Sequence, residues 1–401
     1  MKFDFSTLPD RRGRDALALD SVGLGGGAPD APKNGFSFIP MWIADMNFAT
    51  CPAVTSRIAE RLSHPLFGYF MPSDSYYDAV ISWQEKRNGV RGLAKEHIGY
   101  ENGVLGCVAS ALQAFSSPGE KVLLHSPTYI GFTHALENNG RLAELSPLRR
   151  DAEGVWRMDF DDMDRRLKEN RIHLAIFCSP HNPCGRVWEE WEIKQAMEVF
   201  RANGCTVISD EIWSDILLDG RRHIPTQSVS DDARARTVAV YAPSKTFNLA
   251  GLVGSYHIVY DPVLRDRLRR RSSCSHYNYM NVLSMHALIG AYSAEGMEWT
   301  DELCRVLTGN VSYAADFIET NFRGVSFARP QGTYMLFLHC EDWCRERGIT
   351  RDELLRRGWD FGVGWQSGGP FHDPWGIRVN LALPFSLVEE ATARLKKYVF
   401  V

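Results

Sequence analysis

Four times between residues 121 and 245 a short hydrophobic run breaks into a polar turn: Lys121-Val-Leu-Leu-His-Ser-Pro-Thr-Tyr129, Leu174-Ala-Ile-Phe-Cys-Ser-Pro-His-Asn-Pro-Cys-Gly185, Cys205-Thr-Val-Ile-Ser-Asp-Glu211 and Thr237-Val-Ala-Val-Tyr-Ala-Pro-Ser-Lys245. Short Val, Ile and Leu runs separated by helix-length segments read as buried strands of a mostly parallel sheet, which places the chain in the α/β class. In open α/β sheets the ligand crevice lies outside the carboxyl ends of the strands. All four runs put their polar residues there, so one site at that edge is the simplest arrangement. At 401 residues the chain exceeds the usual size of a single core, and two domains are expected.

The last two runs end on an acid and an amine: Lys245 follows Asp210 by 35 positions. Such a pair can hold an aromatic cofactor between them. The amine would form a Schiff base with the aldehyde of pyridoxal phosphate, and Asp210 would pair with the pyridinium nitrogen and keep the ring an electron sink. Ser-Lys-Thr by itself is an ordinary surface sequence, so this reading rests on the company Lys245 keeps.

That company is specific. Pro40-Met-Trp-Ile-Ala-Asp-Met-Asn-Phe48, Phe67-Gly-Tyr69, Ser179-Pro-His-Asn-Pro-Cys-Gly-Arg-Val-Trp188, Asp210-Glu-Ile-Trp-Ser-Asp215 and Ala242-Pro-Ser-Lys-Thr-Phe-Asn-Leu-Ala-Gly251 together resemble the fold-type I pyridoxal phosphate enzymes of the class I/II aminotransferase superfamily. Within it they are similar to the MalY/PatB-type cystathionine (cysteine-S-conjugate) β-lyases, over nearly the whole chain from about Asp10 to Arg378. The resemblance implies an aspartate aminotransferase-like fold, with a large cofactor domain and a smaller α+β domain. Taken with the sequence map, it suggests an N-terminal arm and part of the small domain over 1–48, the cofactor domain over 49–285 and the C-terminal small domain over 286–401.

The resemblance also assigns roles residue by residue. Tyr129 stacks on the pyridine face, and Asn182 hydrogen-bonds the phenolic oxygen. Asn102-Gly-Val-Leu-Gly106, ahead of a helix-like segment from Cys107 to Phe115, matches the phosphate-binding turn, with Gly103 letting the backbone approach the phosphate and Val104 and Leu105 donating through their backbones at a helix N-terminus. Ser244 is a further phosphate ligand. Arg378 grips the substrate α-carboxylate through its planar fork. Tyr69 reaches into the site of a neighbouring subunit, so the active unit is a homodimer.

Three positions depart from the aminotransferase pattern. Ala242 and Val253 stand where a serine and an arginine often serve the phosphate, and Trp213 stands where a tyrosine often meets the phenolic oxygen. An unassigned cation or the partner's Tyr69 must then complete the phosphate cup.

The resemblance implies carbon–sulfur β-elimination: Lys245 removes the Cα proton, a thiolate leaves Cβ, and pyruvate and ammonia follow. The alternative is transamination, with Lys245 carrying the proton onward. A third class, a cofactor-binding regulatory or scaffolding protein, has no need of Lys245, Asp210 and Arg378 together. Trp42, Phe48, Tyr277 and Tyr279 are candidate pocket aromatics, each equally readable as core.

Net charge of −4 with mixed signs implies no nucleic-acid surface, and Arg265 to Arg271 reads as a charged helix face. Nine scattered cysteines suggest reduced thiols in the cytoplasm rather than a disulfide framework. His339, Cys340 and Cys344 form too small a set for a metal site, and none is expected. No apolar stretch approaches a membrane span, and the polar start lacks a signal-peptide core. Gly23-Leu-Gly-Gly-Gly27 is followed by Pro29 and Pro32, so it reads as an entrance loop or linker rather than a dinucleotide turn.

Overall fold

The computed structural model describes residues 1–274 and 278–401. Seven strands form its main sheet: β1 (Ile98–Glu101), β2 (Lys121–Ser126), β3 (Leu142–Pro147), β4 (Leu174–Cys178), β5 (Thr206–Asp210), β6 (Thr237–Tyr241) and β7 (Ser255–Ile258). Their spatial order is β1-β7-β6-β5-β4-β2-β3. β7 runs antiparallel to β1 and β6, and the other neighbours are parallel. All four sequence runs lie in the parallel part, so their polar ends share one edge.

The strands alternate side chains between faces, and both faces are covered. Val122, Leu124, Ile176, Ile208, Val238 and Val240 face helix α1 (Gly103–Phe115) through Val104, Val108 and Leu112. Leu123, Ala175, Phe177 and Val207 face helix α2 (Glu190–Ala202) through Ile193, Met197 and Phe200. Each fully buried Val, Leu, Ile, Met or Phe side chain contributes about 1.5–3 kcal/mol. The result is a three-layer body in which strand ends cannot shift independently.

Helix α1 begins at Gly103, four residues before the Cys107 read from sequence. The glycine turn is therefore the helix's own first turn. Gly103 takes φ +74°, a left-handed conformation that favours glycine.

A second, four-stranded antiparallel sheet contains β8 (Ser326–Phe327), β9 (Met335–His339), β10 (Gln366–Ser367) and β11 (Gly376–Asn380), in the order β8-β9-β11-β10. Arg378 sits in β11, opposite Phe337 on one side and Gln366 on the other. The N-terminal segment joins this part: Ile39–Pro40 pairs in parallel with Val363–Gly364, and the chain then runs from Met41 to Phe48 toward the edge of the main sheet. The basic run lies on the helix Pro262–Ser273. Among the described residues no helix is long and apolar enough to cross a membrane, and none of the nine cysteines is in a disulfide.

Candidate active site at the strand ends

A cavity of about 230 Å³ opens at the carboxyl edge of the parallel strands. Gly103, Val104 and Leu105 line it from the start of α1, Tyr129 from the turn after β2, and Asn182 from the turn after β4. Asp210 and Trp213 come from the end of β5, and Ser244 and Lys245 from the turn after β6. Residues spread over more than 140 positions thus meet because every strand ends at the same edge.

Tyr129 owes its pose to a glycine. A Cβ at Gly131 would lie 2.4 Å from the Tyr129 ring and 2.9 Å from Leu105 Cδ1, so only glycine lets the ring fold back beside the first turn of α1.

The charges here are buried and poorly compensated. Burial pushes the Asp210 carboxyl up to about 7, against a single backbone hydrogen bond from Ile212 N–H at 3.1 Å and the opposing pull of Lys245. Burial likewise lowers the Lys245 amine to about 8, reinforced by Arg378. Nζ of Lys245 donates to the Ala44 carbonyl at 2.9 Å and stands 5.8 Å from the centre of the Trp213 ring. Arg378 is 3% exposed and joins the cluster through Asn182, whose Oδ1 accepts from its Nη1 at 3.1 Å.

The Met41–Phe48 segment brackets this set. Its Ala44 carbonyl holds Lys245, its Trp42 carbonyl accepts from Arg378 Nη2 at 3.3 Å, and Ile43 and Asp45 accept from Asn380 Nδ2 at 2.7 and 2.6 Å. Arg11 pins the segment from the N-terminal arm, pairing with Asp45 and donating to the Met46 carbonyl at 3.0 Å. The sequence motif marked this segment without its role, since main-chain carbonyls carry no side-chain signature.

Other expected residues lie apart. Tyr69 is fully exposed and lines a separate cavity of about 770 Å³ with Tyr76, Tyr100 and Tyr279. Among the pocket aromatics, Trp42 turns its indole away to donate to the Ala18 carbonyl at 3.0 Å, and Phe48 packs edge-on against Phe5. Neither lines the cofactor-sized cavity, and Tyr277 lies outside the described residues. His339 is held by Asp373 and Glu341 rather than by the buried thiols of Cys340 and Cys344. Val253 lines the cavity with φ +45°; among the described lining residues Lys245 is the only cation.

Residues 39–395 match the family model of aminotransferase class I and II. The chain belongs to the aminotransferase class I and II family. It is 33% identical to cystathionine β-lyase PatB of Bacillus subtilis, over 98% of this chain and 99% of that protein. It is 29% identical to protein MalY of Escherichia coli, over 98% of each. Its fold superposes on the pyridoxal phosphate-bound C-S lyase of Staphylococcus hominis with a TM-score of 0.89 at 28% identity, covering 100% of this chain and 99% of that one. It also superposes on cystalysin of Treponema denticola, a structure containing pyridoxal 5′-phosphate, with a TM-score of 0.90 at 26% identity, covering 99% and 98%.

The donor set of this family member fits pyridoxal 5′-phosphate. A buried carboxylate is stabilised by a cation such as a pyridinium, and among the described residues the pull of Lys245 is too weak to keep Asp210's affinity for protons at the usual value. A buried amine lowered to about 8 is prepared for condensation with an aldehyde. The first turn of α1 offers free N–H groups and a positive dipole end to a phosphate.

Proposed function

We propose that this protein is a pyridoxal phosphate-dependent carbon–sulfur β-lyase that cleaves L-cystathionine or related cysteine S-conjugates to a thiol, pyruvate and ammonia. The observation that carries the chemistry is that Lys245 and Asp210 line one cavity and the buried Arg378 joins them through Asn182, each charge incompletely neutralised by its neighbours. Elimination rather than transamination is supported by the full-length relatives named for cystathionine and C-S lysis.

Pyridoxal 5′-phosphate, when bound, supplies an electron sink for the pair released at Cα. Asp210 would keep the ring nitrogen protonated, Tyr129 would stack on the ring, and Asn182 would donate to the phenolic oxygen. Trp213, in place of a tyrosine, would offer that oxygen no hydroxyl. Gly103, Val104, Leu105 and Ser244 would hold the phosphate. Arg378 takes the substrate α-carboxylate and so orients the Cα–H bond toward Lys245. Lys245 removes that proton; an amine lowered to about 8 is in part neutral near neutral pH and so competent as a base.

The domain division, with an arm over 1–48, a cofactor domain over 49–285 and a small domain from 286, is part of this reading. So is a homodimer in which Tyr69 reaches a second copy's phosphate cup, supported by the exposed Phe67, Tyr69, Met71 and Tyr279 and by the missing cation at Val253. A cytoplasmic location is supported by the unpaired thiols.

Incubation with L-cystathionine, with and without a keto-acid acceptor, tests the function. Pyruvate formed without acceptor supports the lyase, acceptor-dependent product replaces it with an aminotransferase, and neither reduces the protein to a binder.

A further inference from the structure

Arg378 is a buried cation that no carboxylate neutralises among the described residues. Nη1 donates to Asn182 Oδ1 at 3.1 Å, and Nη2 donates to Gln366 Oε1 at 2.6 Å and to the Trp42 carbonyl at 3.3 Å. All three acceptors are neutral oxygens. The Phe371 ring covers the guanidinium at 4.5 Å, and Nε is buried without a partner. Burial lowers its affinity for protons to about 10, and the groups that oppose this are the phenols of Tyr129 and Tyr334, not carboxylates.

Gln366 makes the shortest of these bonds. It stands directly across the antiparallel ladder from Arg378, on a strand of two residues whose ladder bonds are main-chain and independent of the side chain. We infer that Gln366 is a positioning residue for the substrate carboxylate: its amide oxygen fixes the plane of the Arg378 fork while leaving the whole positive charge for the ligand. A carboxylate at that position would hold the fork more firmly, since charge-assisted bonds are roughly twice as strong as neutral ones. It would also take the charge that the substrate needs. The inference rests on Arg378 being the carboxylate anchor, and glutamine is the side chain that combines reach with neutrality.

Two substitutions separate orientation from charge, measured on the cofactor-loaded protein. Gln366→Met keeps length and removes the acceptor; KM for L-cystathionine rises about 5- to 20-fold with kcat nearly kept. Gln366→Glu keeps the bond and neutralises the fork; KM rises about 100-fold or more. Binding of 3-(methylthio)propanoate, a thioether acid without an amine, weakens in the same order by calorimetry. Binding of 2-(methylthio)ethylamine, which lacks the carboxylate, does not change. Arg378→Ala is measured alongside. If it leaves KM and acid binding unchanged, the carboxylate reading of Arg378 fails. If it weakens both while the two Gln366 variants match the wild type, only the role of Gln366 is overturned. Should Gln366→Glu fail to fold, an unchanged KM in Gln366→Met overturns it alone, as does equal weakening toward acid and amine in either variant.

Discussion

Two buried charged clusters in this protein are built in opposite ways. Around Arg186, which is 2% exposed, every N–H is answered. Nη2 meets Glu192 and Glu189, Nη1 meets Gln331 and the Val187 carbonyl, and Nε meets the Trp156 carbonyl. Arg157 binds the same two glutamates at 2.9 and 3.1 Å. Around Arg378, equally buried, the acceptors are neutral and Nε is open. Burying an ion without a partner is costly. A chain that completes one cluster and leaves the other incomplete has reserved the second for a ligand. Under the proposed function Lys245, Asp210 and Arg378 serve binding, and the completed Arg186 cluster serves folding.

The contrast is broken most directly at Lys245. Lys245→Ala should lower turnover at least about 10³-fold, the upper range for a lost acid–base group. It should not lower the Tm of the cofactor-free protein, because a poorly compensated buried amine disappears with it. Borohydride reduction followed by mass mapping should place the cofactor on Lys245 in the wild type. A Tm loss as large as that of a core truncation would make Lys245 structural and erase the difference between the clusters.

The reciprocal substitution is Glu192→Gln. It strips a wholly buried carboxylate from Arg186 and Arg157, and breaking a buried pair in this way costs about 3–5 kcal/mol. The denaturant midpoint should fall accordingly, with KM for L-cystathionine unchanged in the protein that remains folded. A changed KM with an unchanged midpoint would place the Arg186 cluster in the substrate path.

Asp210 sharpens the comparison through pH. The folded carboxyl keeps its proton to about 7, and the unfolded one loses it near 3.8. The folded state therefore binds more protons between those values, and the stability of the cofactor-free protein falls as pH rises through them, at about 1.4 kcal/mol per unit. Lys245 acts oppositely: folded it loses its proton near 8 and unfolded near 10.5, so stability rises with pH in that window. Asp210→Asn should remove the fall between pH 4 and 7 and leave the alkaline rise. Thermal unfolding of both proteins across pH 4 to 10 measures this, and parallel curves would refute the burial argument.

What the sequence could and could not disclose follows from how each cluster is assembled. Asp210, Asn182, Tyr129 and Lys245 each lie in or just after a strand whose Val, Ile and Leu pattern is local, and parallel strands end together. Their meeting was legible from spacing. The glycine turn was legible too, but its helix starts at Gly103 because Val104, Leu105 and Gly106 already run on as its first turn. Gln366 was not legible, since it reaches Arg378 through a two-residue strand with no periodicity to detect. The carbonyls of Trp42 and Ala44 were hidden for a simpler reason: a main-chain acceptor is the same in every residue. Glu192 was also silent, because as a helix residue near a capping glutamate it reads as surface until the fold buries it.

The weakest expected effect comes from a third cluster that is paired but wet. His339 Nδ1 lies 3.0 Å from Asp373 and Nε2 lies 3.3 Å from Glu341, with 34% of the side chain exposed. Arg150 and His372 line the same groove. The hydrogen bond to Asp373 raises the imidazole above its usual 6.5, against a smaller loss from burial. The sign follows from the folded state holding the extra proton: the stabilisation is complete below 6.5 and is lost as pH rises through the raised folded value. Solvent screens such a pair, so its worth is under about 1 kcal/mol. His339→Gln should therefore lower Tm slightly at pH 5.5 and hardly at all well into the alkaline range. KM for L-cystathionine should stay constant, because the pair stands outside the cavity that holds Lys245. If the small Tm difference instead grew with pH, the imidazole would be stabilising as the neutral form, and burial rather than pairing would govern this cluster as it governs Asp210.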